Sequence, residues 1–305
     1  MADYDVVVIG GGPAGLAAGI YLGRGKYRTL LIDKEAPGGN IKDVEWIENY
    51  PGFAKGIGGP QLSSEMVVQA TASGVHFETG EVTGLELYSS SRCVQLKDGR
   101  TITAEAIIAA SGCRRKKLGV PGERELEGKG IIGCALCDGH IFADKVAAVC
   151  GGGDSGITEA LYLTKLATRV ILLEAMPTLT ATAILQERLR NNPKIEVHTG
   201  VKVTAILGDN NVRAIEYEDV KTQQKGTFDV QGVLVDIGLD PNTGFLESAV
   251  SLDKQHCVPV NDRMETSAPY IFAVGDIRSG STRQVSTAVG DGATAAICVQ
   301  RALKQ

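Results

Sequence analysis

One local pattern occurs twice in this chain, and it constrains the fold more than any other feature. Tyr4–Ile9 is a short apolar run rich in valine. It is followed by Gly10-Gly11-Gly12-Pro13-Ala14-Gly15, a helical stretch over Leu16–Gly23, and a second apolar run, Thr29–Ile32, that ends at Asp33. The pattern returns as Val146–Cys150, then Gly151-Gly152-Gly153-Asp154-Ser155-Gly156, a helical stretch over Ile157–Leu166, and Arg169–Leu173 ending at Glu174. In both copies the acidic residue lies 23 positions after the first glycine. A strand, a G-x-G-x-x-G turn, a helix and a strand ending in a carboxylate form a βαβ unit of dinucleotide-binding type. The first glycine allows the tight turn, the second lets the backbone approach a pyrophosphate, and the third lets the helix pack close to the strand. The helix N-terminus then offers free N–H groups to phosphate. Two copies predict an α/β chain with two Rossmann-like three-layer dinucleotide-binding domains.

The two turns differ in what they accept. On local grounds the first suits FAD or NAD equally, with Asp33 placed to accept ribose hydroxyls. In the second, Glu174 suits an unphosphorylated adenosine and repels a 2′-phosphate. No Lys or Arg occurs from Val170 to Glu187 to neutralise such a phosphate. The alternative for the second copy is a relic turn with an empty site. Between the copies, residues 75–99 alternate like antiparallel strands, with a hairpin turn at Leu96–Arg100. Ile107–Ala110 and Val233–Ile237 read as buried strands. Arg114-Arg115-Lys116-Lys117 and Gly119–Gly122 read as a solvated basic linker, and Gly238–Thr243 as a second linker.

Length and charge set outer limits. A chain of 305 residues has material for two cores. A net charge of −5 argues against a nucleic-acid or anionic-membrane surface, which needs basic excess. No apolar run is long enough to span a bilayer, and no signal peptide is evident, so a cytoplasmic location is expected. The seven cysteines are odd in number and mostly scattered, which fits a reducing compartment. Cys93, Cys113, Cys150, Cys257 and Cys298 have apolar or strand neighbours and read as core residues, and Trp46 and Tyr50 as packing residues. Cys134-Ala135-Leu136-Cys137 stands apart. Two thiols at this spacing face each other at a helix start, where one thiol pKa falls. A zinc site wants two more ligands at similar spacing, and none is present, so no metal is expected. Asp138 is placed either to exchange a proton with a leaving thiolate or to close the turn before Gly139.

These segments together resemble the FAD-containing low-molecular-weight thioredoxin reductase family over essentially the full length. The resemblance is carried by GGGPAGLAAGIYLGR (10–24), ENYPGF (48–53), CALCDG (134–139), GGGDSGITEALYLT (151–164), TSAPYIFAVGDIR (266–278) and RQVSTAVGDGATAA (283–296). It implies a homodimer with one FAD per chain. It also implies an FAD domain of residues 1–115 and 245–305, with residues 118–242 inserted as a nucleotide-type domain carrying the cysteine pair. FAD contacts then fall on Gly10, Gly12, Pro13, Ala14, Gly15, Asp33, Asn40, Asn49, Gly275, Asp276, Arg283, Gln284 and Val285. Asp276 suits a ribityl hydroxyl, and a helix starting at Arg283-Gln284-Val285 points N–H groups at the flavin N1/O2 edge. The family roles place Cys137 against the flavin, Cys134 as the thiol that attacks thioredoxin, and Asp138 as the acid.

The sequence departs from the family pattern at several positions. The family usually has glutamine at 40 and glutamate at 33, where this chain has Asn40 and Asp33. NADPH-using members carry a His-Arg-Arg run after the strand of the inserted domain. Here Glu174-Ala175-Met176-Pro177 takes its place, which resembles an atypical branch lacking the 2′-phosphate motif. The expected function is therefore electron transfer from reduced FAD through the Cys134–Cys137 disulfide to thioredoxin. NADPH is disfavoured as donor, and ferredoxin and NADH are the candidates. Two rivals are a dithiol oxidase using oxygen and a non-catalytic flavin redox sensor. Oxidase relatives tend to have His after the second cysteine, where this chain has Asp138. Asp236 stands where the family has alanine or tyrosine, and the sequence assigns it no role.

Overall fold

The valine-rich run forms β1 (Tyr4–Ile9) in the computed structural model, which describes residues 2–304. Successive strand residues point to opposite faces. Val6 and Val8 enter one apolar core, and Val7 and Ile9 another. Because both faces are covered, its buried part, Val6–Ile9, is apolar throughout rather than alternating. Pro13 starts α1 (Pro13–Arg24), where its missing N–H breaks no helical bond. β2 (Thr29–Asp33) then pairs parallel to β1. After α2 (Gly59–Ala72), β3 (His76–Thr79) pairs parallel to β2. The alternation over 75–99 predicted antiparallel strands, and only β4 (Val82–Leu87) and β5 (Arg92–Leu96) pair that way. β3 returns from a helical crossover, and such a crossover delivers a parallel strand. The turn at Leu96–Arg100 leads into β6 (Thr101–Ala109), antiparallel to β5.

The chain leaves through β7 (Cys113–Arg115), and the inserted segment begins with β8 (Ile131–Ile132) and α3 (Ala135–Asp138). The second βαβ unit is β9 (Val146–Cys150), α4 (Asp154–Leu163) and β10 (Arg169–Glu174). α5 (Ala183–Arg190) and β11 (Ile195–Thr199) follow. An antiparallel sheet of β12 (Val201–Gly208), β13 (Val212–Asp219) and β14 (Lys225–Asp229) precedes β15 (Gly232–Val235). The parallel sheet has the order β11-β10-β9-β15-β8. Along β9, Ala147 and Val149 enter one core while Ala148 and Cys150 enter the other.

β16 (Leu239–Pro241) pairs with β7 and brings the chain back to β17 (Ile271–Ala273) and α6 (Val285–Ala302). β17 pairs with Ile107–Ala109 of β6, beyond the part of β6 that pairs with β5, in a sheet ordered β3-β2-β1-β6-β5-β4. Two units result: Met1–Arg114 with Asp240–Gln305, and Arg115–Leu239. Among the described residues no helix is long and apolar enough to cross a membrane.

Three local expectations are corrected. Trp46 is 48% exposed rather than packed, and Cys298 is only half-buried. Arg115 is not a solvated linker residue, because its guanidinium is drawn to a carboxylate of the inserted unit, Glu159.

Candidate active site

The first unit gathers residues from both ends of the chain around the first glycine turn. Gly10 has φ +106°, and a Cβ there would lie 2.3 Å from the Ala110 carbonyl oxygen. A Cβ on Gly15 would lie 1.9 Å from the Gly10 carbonyl, so α1 approaches the turn as closely as the motif requires. Gly12 caps α1 with extended backbone, and no side chain bonds the helix start. These features fit a dinucleotide pyrophosphate. Asp33 holds the turn, accepting the Gly11 N–H at 2.6 Å through Oδ2 and the Glu35 N–H at 2.9 Å through Oδ1. The 38–39 loop lies against it, with Gly38 N–H donating to Gly11 O at 2.7 Å. Asn40 donates from Nδ2 to the Cys113 carbonyl at 2.9 Å, so the shorter side chain is spent on backbone.

The C-terminal motif is brought to the same place. A Cβ on Gly292 of α6 would meet the Ala14 carbonyl at 2.1 Å, so α6 lies directly on α1. Gly275, at φ +72°, sits beside Ala14. Asn49 Nδ2 donates to Gln284 Oε1 at 3.0 Å, and Gln284 caps α6 at Val285. Burial pushes the Asp276 carboxyl above its ordinary range, and the Arg283 guanidinium opposes that rise. Arg283 itself has a left-handed backbone, φ 55°. The sequence reading missed Asp291. Buried in α6, it accepts the Gly275 N–H at 3.1 Å and Arg278 Nε at 2.5 Å, so it holds the turn carrying Asp276. Its signal is an acidic residue inside an otherwise small and apolar helix.

The second unit carries the cysteines. Cys134 and Cys137 form a disulfide, and Cys134 is the N-cap of α3, its Sγ accepting the Cys137 N–H at 3.0 Å. Cys134 is buried, while Cys137 and Asp138 are exposed. Burial pushes the Cys113 and Cys150 thiols up to about 12, which leaves them inert as nucleophiles.

The second glycine turn repeats the first. Glu174 accepts the Gly152 N–H at 2.6 Å through Oε2 and the Met176 N–H at 2.8 Å through Oε1. A Cβ on Gly156 would lie 2.1 Å from the Gly151 carbonyl. Gly153 caps α4 without a side-chain bond. This turn also lies at the point where the strand order reverses between β9 and β15, where ligands bind in open α/β sheets.

A charged cluster that the sequence did not announce lies beside α3. Glu159, on α4, has a side chain only 12% exposed. It accepts the Ala135 N–H at 2.7 Å and Arg115 Nη2 at 3.0 Å. Burial pushes its carboxyl up, as does nearby Asp236, while the Ala135 N–H and Arg115 push it down. Asp236 follows β15, and its buried Oδ2 has no hydrogen-bond partner among the described residues. Burial raises its carboxyl pKa, opposed by Arg115.

Comparison with known proteins places this geometry. Residues 4–292 match the family model described as pyridine nucleotide-disulphide oxidoreductase. The chain is 39% identical to the thioredoxin reductase of Bacillus subtilis (strain 168) over 304 residues, covering 99% of this chain and 95% of that protein. Its fold is similar to the crystal structure of Lactococcus lactis thioredoxin reductase, with TM-score 0.96, 37% identity and 98% of each chain covered. It is likewise similar to that of T. acidophilum thioredoxin reductase, with TM-score 0.95, 32% identity and 100% of each chain covered. The chain belongs to the pyridine nucleotide-disulphide oxidoreductase family, among its thioredoxin reductase-like flavoenzymes.

Proposed function

We propose that this protein is a thioredoxin reductase whose electrons do not come from NADPH. The observation that carries the donor reading is the second glycine turn. Its carboxylate, Glu174, is fixed to the turn, and no basic residue lies between Val170 and Glu187. A 2′-phosphate needs cationic partners, usually arginine. Reduced ferredoxin is the favoured donor, with NADH the alternative that Glu174 permits.

The first unit fits FAD through the Gly10, Gly12, Pro13, Ala14, Gly15 turn, Asp33, Asn40, Asn49, and the segments Gly275–Asp276 and Arg283–Val285. When bound, FAD supplies the two electrons that open the Cys134–Cys137 disulfide. The remaining chemistry belongs to the chain. The Cys134 thiolate attacks the thioredoxin disulfide, forming a mixed disulfide and releasing one thioredoxin sulfur. Cys137 then attacks Cys134, re-forming the internal disulfide and releasing the second sulfur. Two electrons and two protons pass to thioredoxin, and Asp138 handles the proton at a departing sulfur. A homodimer, on the resemblance, and a cytoplasmic location, on the cysteine usage, complete the reading.

The test is anaerobic thioredoxin reduction with saturating NADPH, NADH and reduced ferredoxin in turn. Turnover with ferredoxin or NADH, and none with NADPH, is expected. NADPH turnover of ordinary enzymatic size, about 10 per second, sinks the donor reading. If no donor reduces thioredoxin, while oxygen is consumed with a dithiol, the protein is an oxidase instead.

A further inference from the structure

The Arg115–Glu159–Asp236 cluster has no part in the chemistry above, yet it touches the backbone of the cysteine pair. Ala135 is the residue after Cys134, and its N–H ends on Glu159 Oε2 at 2.7 Å. The Cys137 N–H, in turn, ends on Cys134 Sγ at 3.0 Å. Two neighbouring backbone donors at the start of α3 therefore serve different acceptors, one a sulfur and the other a carboxylate. Arg115 bonds the same carboxylate at 3.0 Å, which supports its ionised form. Among the described residues, Arg115 and Asp236 are the charged groups that act on the Glu159 carboxyl.

We propose that Glu159 is a positioning residue that keeps Cys134–Cys137 a reducing couple. Its carboxylate occupies the Ala135 N–H, a backbone donor that a Cys134 thiolate would use, and so sets negative charge on the peptide that follows Cys134. The inference rests on the redox reading of the pair given above. A thiolate is favoured by N–H donors and nearby cations, and disfavoured by a nearby anion. A dithiol whose thiolate is strongly stabilised is a poor reductant, because its reduced form is held too well. Glu159 works in the opposite direction. It keeps the reduced pair as thiols, so that giving up two electrons and two protons to a partner disulfide is favourable. The S–S bond between Cys134 and Cys137 forms as the partner's S–S bond breaks. Arg115 explains how a carboxylate so little exposed stays charged, and Asp236 works against it. This accounts for a linker arginine that is half-buried against a carboxylate.

The experiment uses the full flavin-loaded chain with Glu159→Gln, which keeps the shape and an acceptor but removes the charge. In a Cys137→Ser background, alkylation of Cys134 by iodoacetamide is followed by peptide mass from about pH 5 to pH 9. The Gln variant should shift the rate profile about one pH unit lower, with Cys134 about tenfold faster near neutral pH. With both cysteines present, the equilibrium constant for reduction by dithiothreitol at alkaline pH should rise about tenfold. A merely structural role would leave the midpoint of the alkylation profile where it was. An unchanged profile, or one shifted to higher pH, overturns the proposal. Should Glu159→Gln not fold, Glu159→Asp keeps the charge but withdraws it from Ala135. It should give a smaller shift in the same direction, and an unchanged profile again overturns the proposal. If dithiothreitol cannot open the unmutated pair reversibly, the redox reading falls and this inference with it. If the unmutated pair opens and re-forms but the Gln profile stays unchanged, this inference falls alone.

Discussion

The Glu174 carboxylate accepts the Gly152 N–H at 2.6 Å, the same bond, at the same length, that Asp33 makes to Gly11 in the first unit. The carboxylate is therefore held against the glycine turn, where an adenosine ribose lies in folds of this type.

A gain-of-function variant tests this arrangement. Glu174→Ala combined with Ala175→Arg and Met176→Arg removes the repulsion and supplies two guanidinium partners. Each charge-assisted bond is worth about 1.5–3 kcal/mol. NADPH binding, measured by calorimetry, should tighten at least about tenfold. Glu174→Ala alone should not confer it. An unchanged NADPH affinity in the triple variant would show that Glu174 and the missing guanidinium groups do not set the preference.

Asn49 and Gln284 meet at 3.0 Å although 235 residues separate them in sequence. Gln284 caps α6, so Asn49 fixes the residue that aims the helix start. The bond is exposed, and losing it should cost stability little. Asn49→Ala should nevertheless weaken FAD retention about 3- to 10-fold, the worth of one hydrogen bond. Rebinding of FAD to the apoprotein, followed by flavin fluorescence, measures the change. Retention equal to that of the parent protein would mean that Gln284 needs no such support.

The two cysteines should behave differently toward thioredoxin. Cys137→Ser leaves Cys134 without its resolving partner and should trap a mixed disulfide, visible by non-reducing electrophoresis. Cys134→Ser should trap little. Cys134 is the buried member of the pair in this structure, so trapping through it also requires that it become accessible. If Cys134→Ser traps thioredoxin and Cys137→Ser does not, the roles are reversed.

Asp236 predicts a pH-dependent stability. Its carboxyl pKa is raised by burial above the ordinary 3.8. The folded state therefore holds this proton more tightly than the unfolded state does. That contribution is complete below about pH 4 and is lost as pH rises through the folded-state value. Asp236→Asn removes the ionisation. It should melt with the parent near pH 4 and a few degrees above it near pH 8, corresponding to about 1 kcal/mol. Differential scanning at both pH values decides the matter. A variant less stable than the parent at pH 8 would mean that the Asp236 charge is used by the fold.

The two glycine turns, their helices and the strands around them were legible in the sequence, because each rests on local physics. A G-x-G-x-x-G turn after an apolar strand has few conformations, and Gly15 and Gly156 tolerate no Cβ against the carbonyls they face. The Cys134–Cys137 pair was legible for the same reason, since spacing alone brings two thiols together at a helix start. The direction of β3 was not, because alternation specifies a strand but not its partner, and a helical crossover decided the pairing. The roles of Arg115, Glu159 and Asp291 were not legible either. In sequence these are a linker cation and two helix acids, and only Asp291, set among small and apolar residues, stands out from a solvated charge. Their meaning comes from partners distant in sequence: Arg115 and Ala135 for Glu159, and Gly275 and Arg278 for Asp291. Burying a charge is costly unless it is paired. Tertiary packing alone chose which charges lost their water and which groups replaced it.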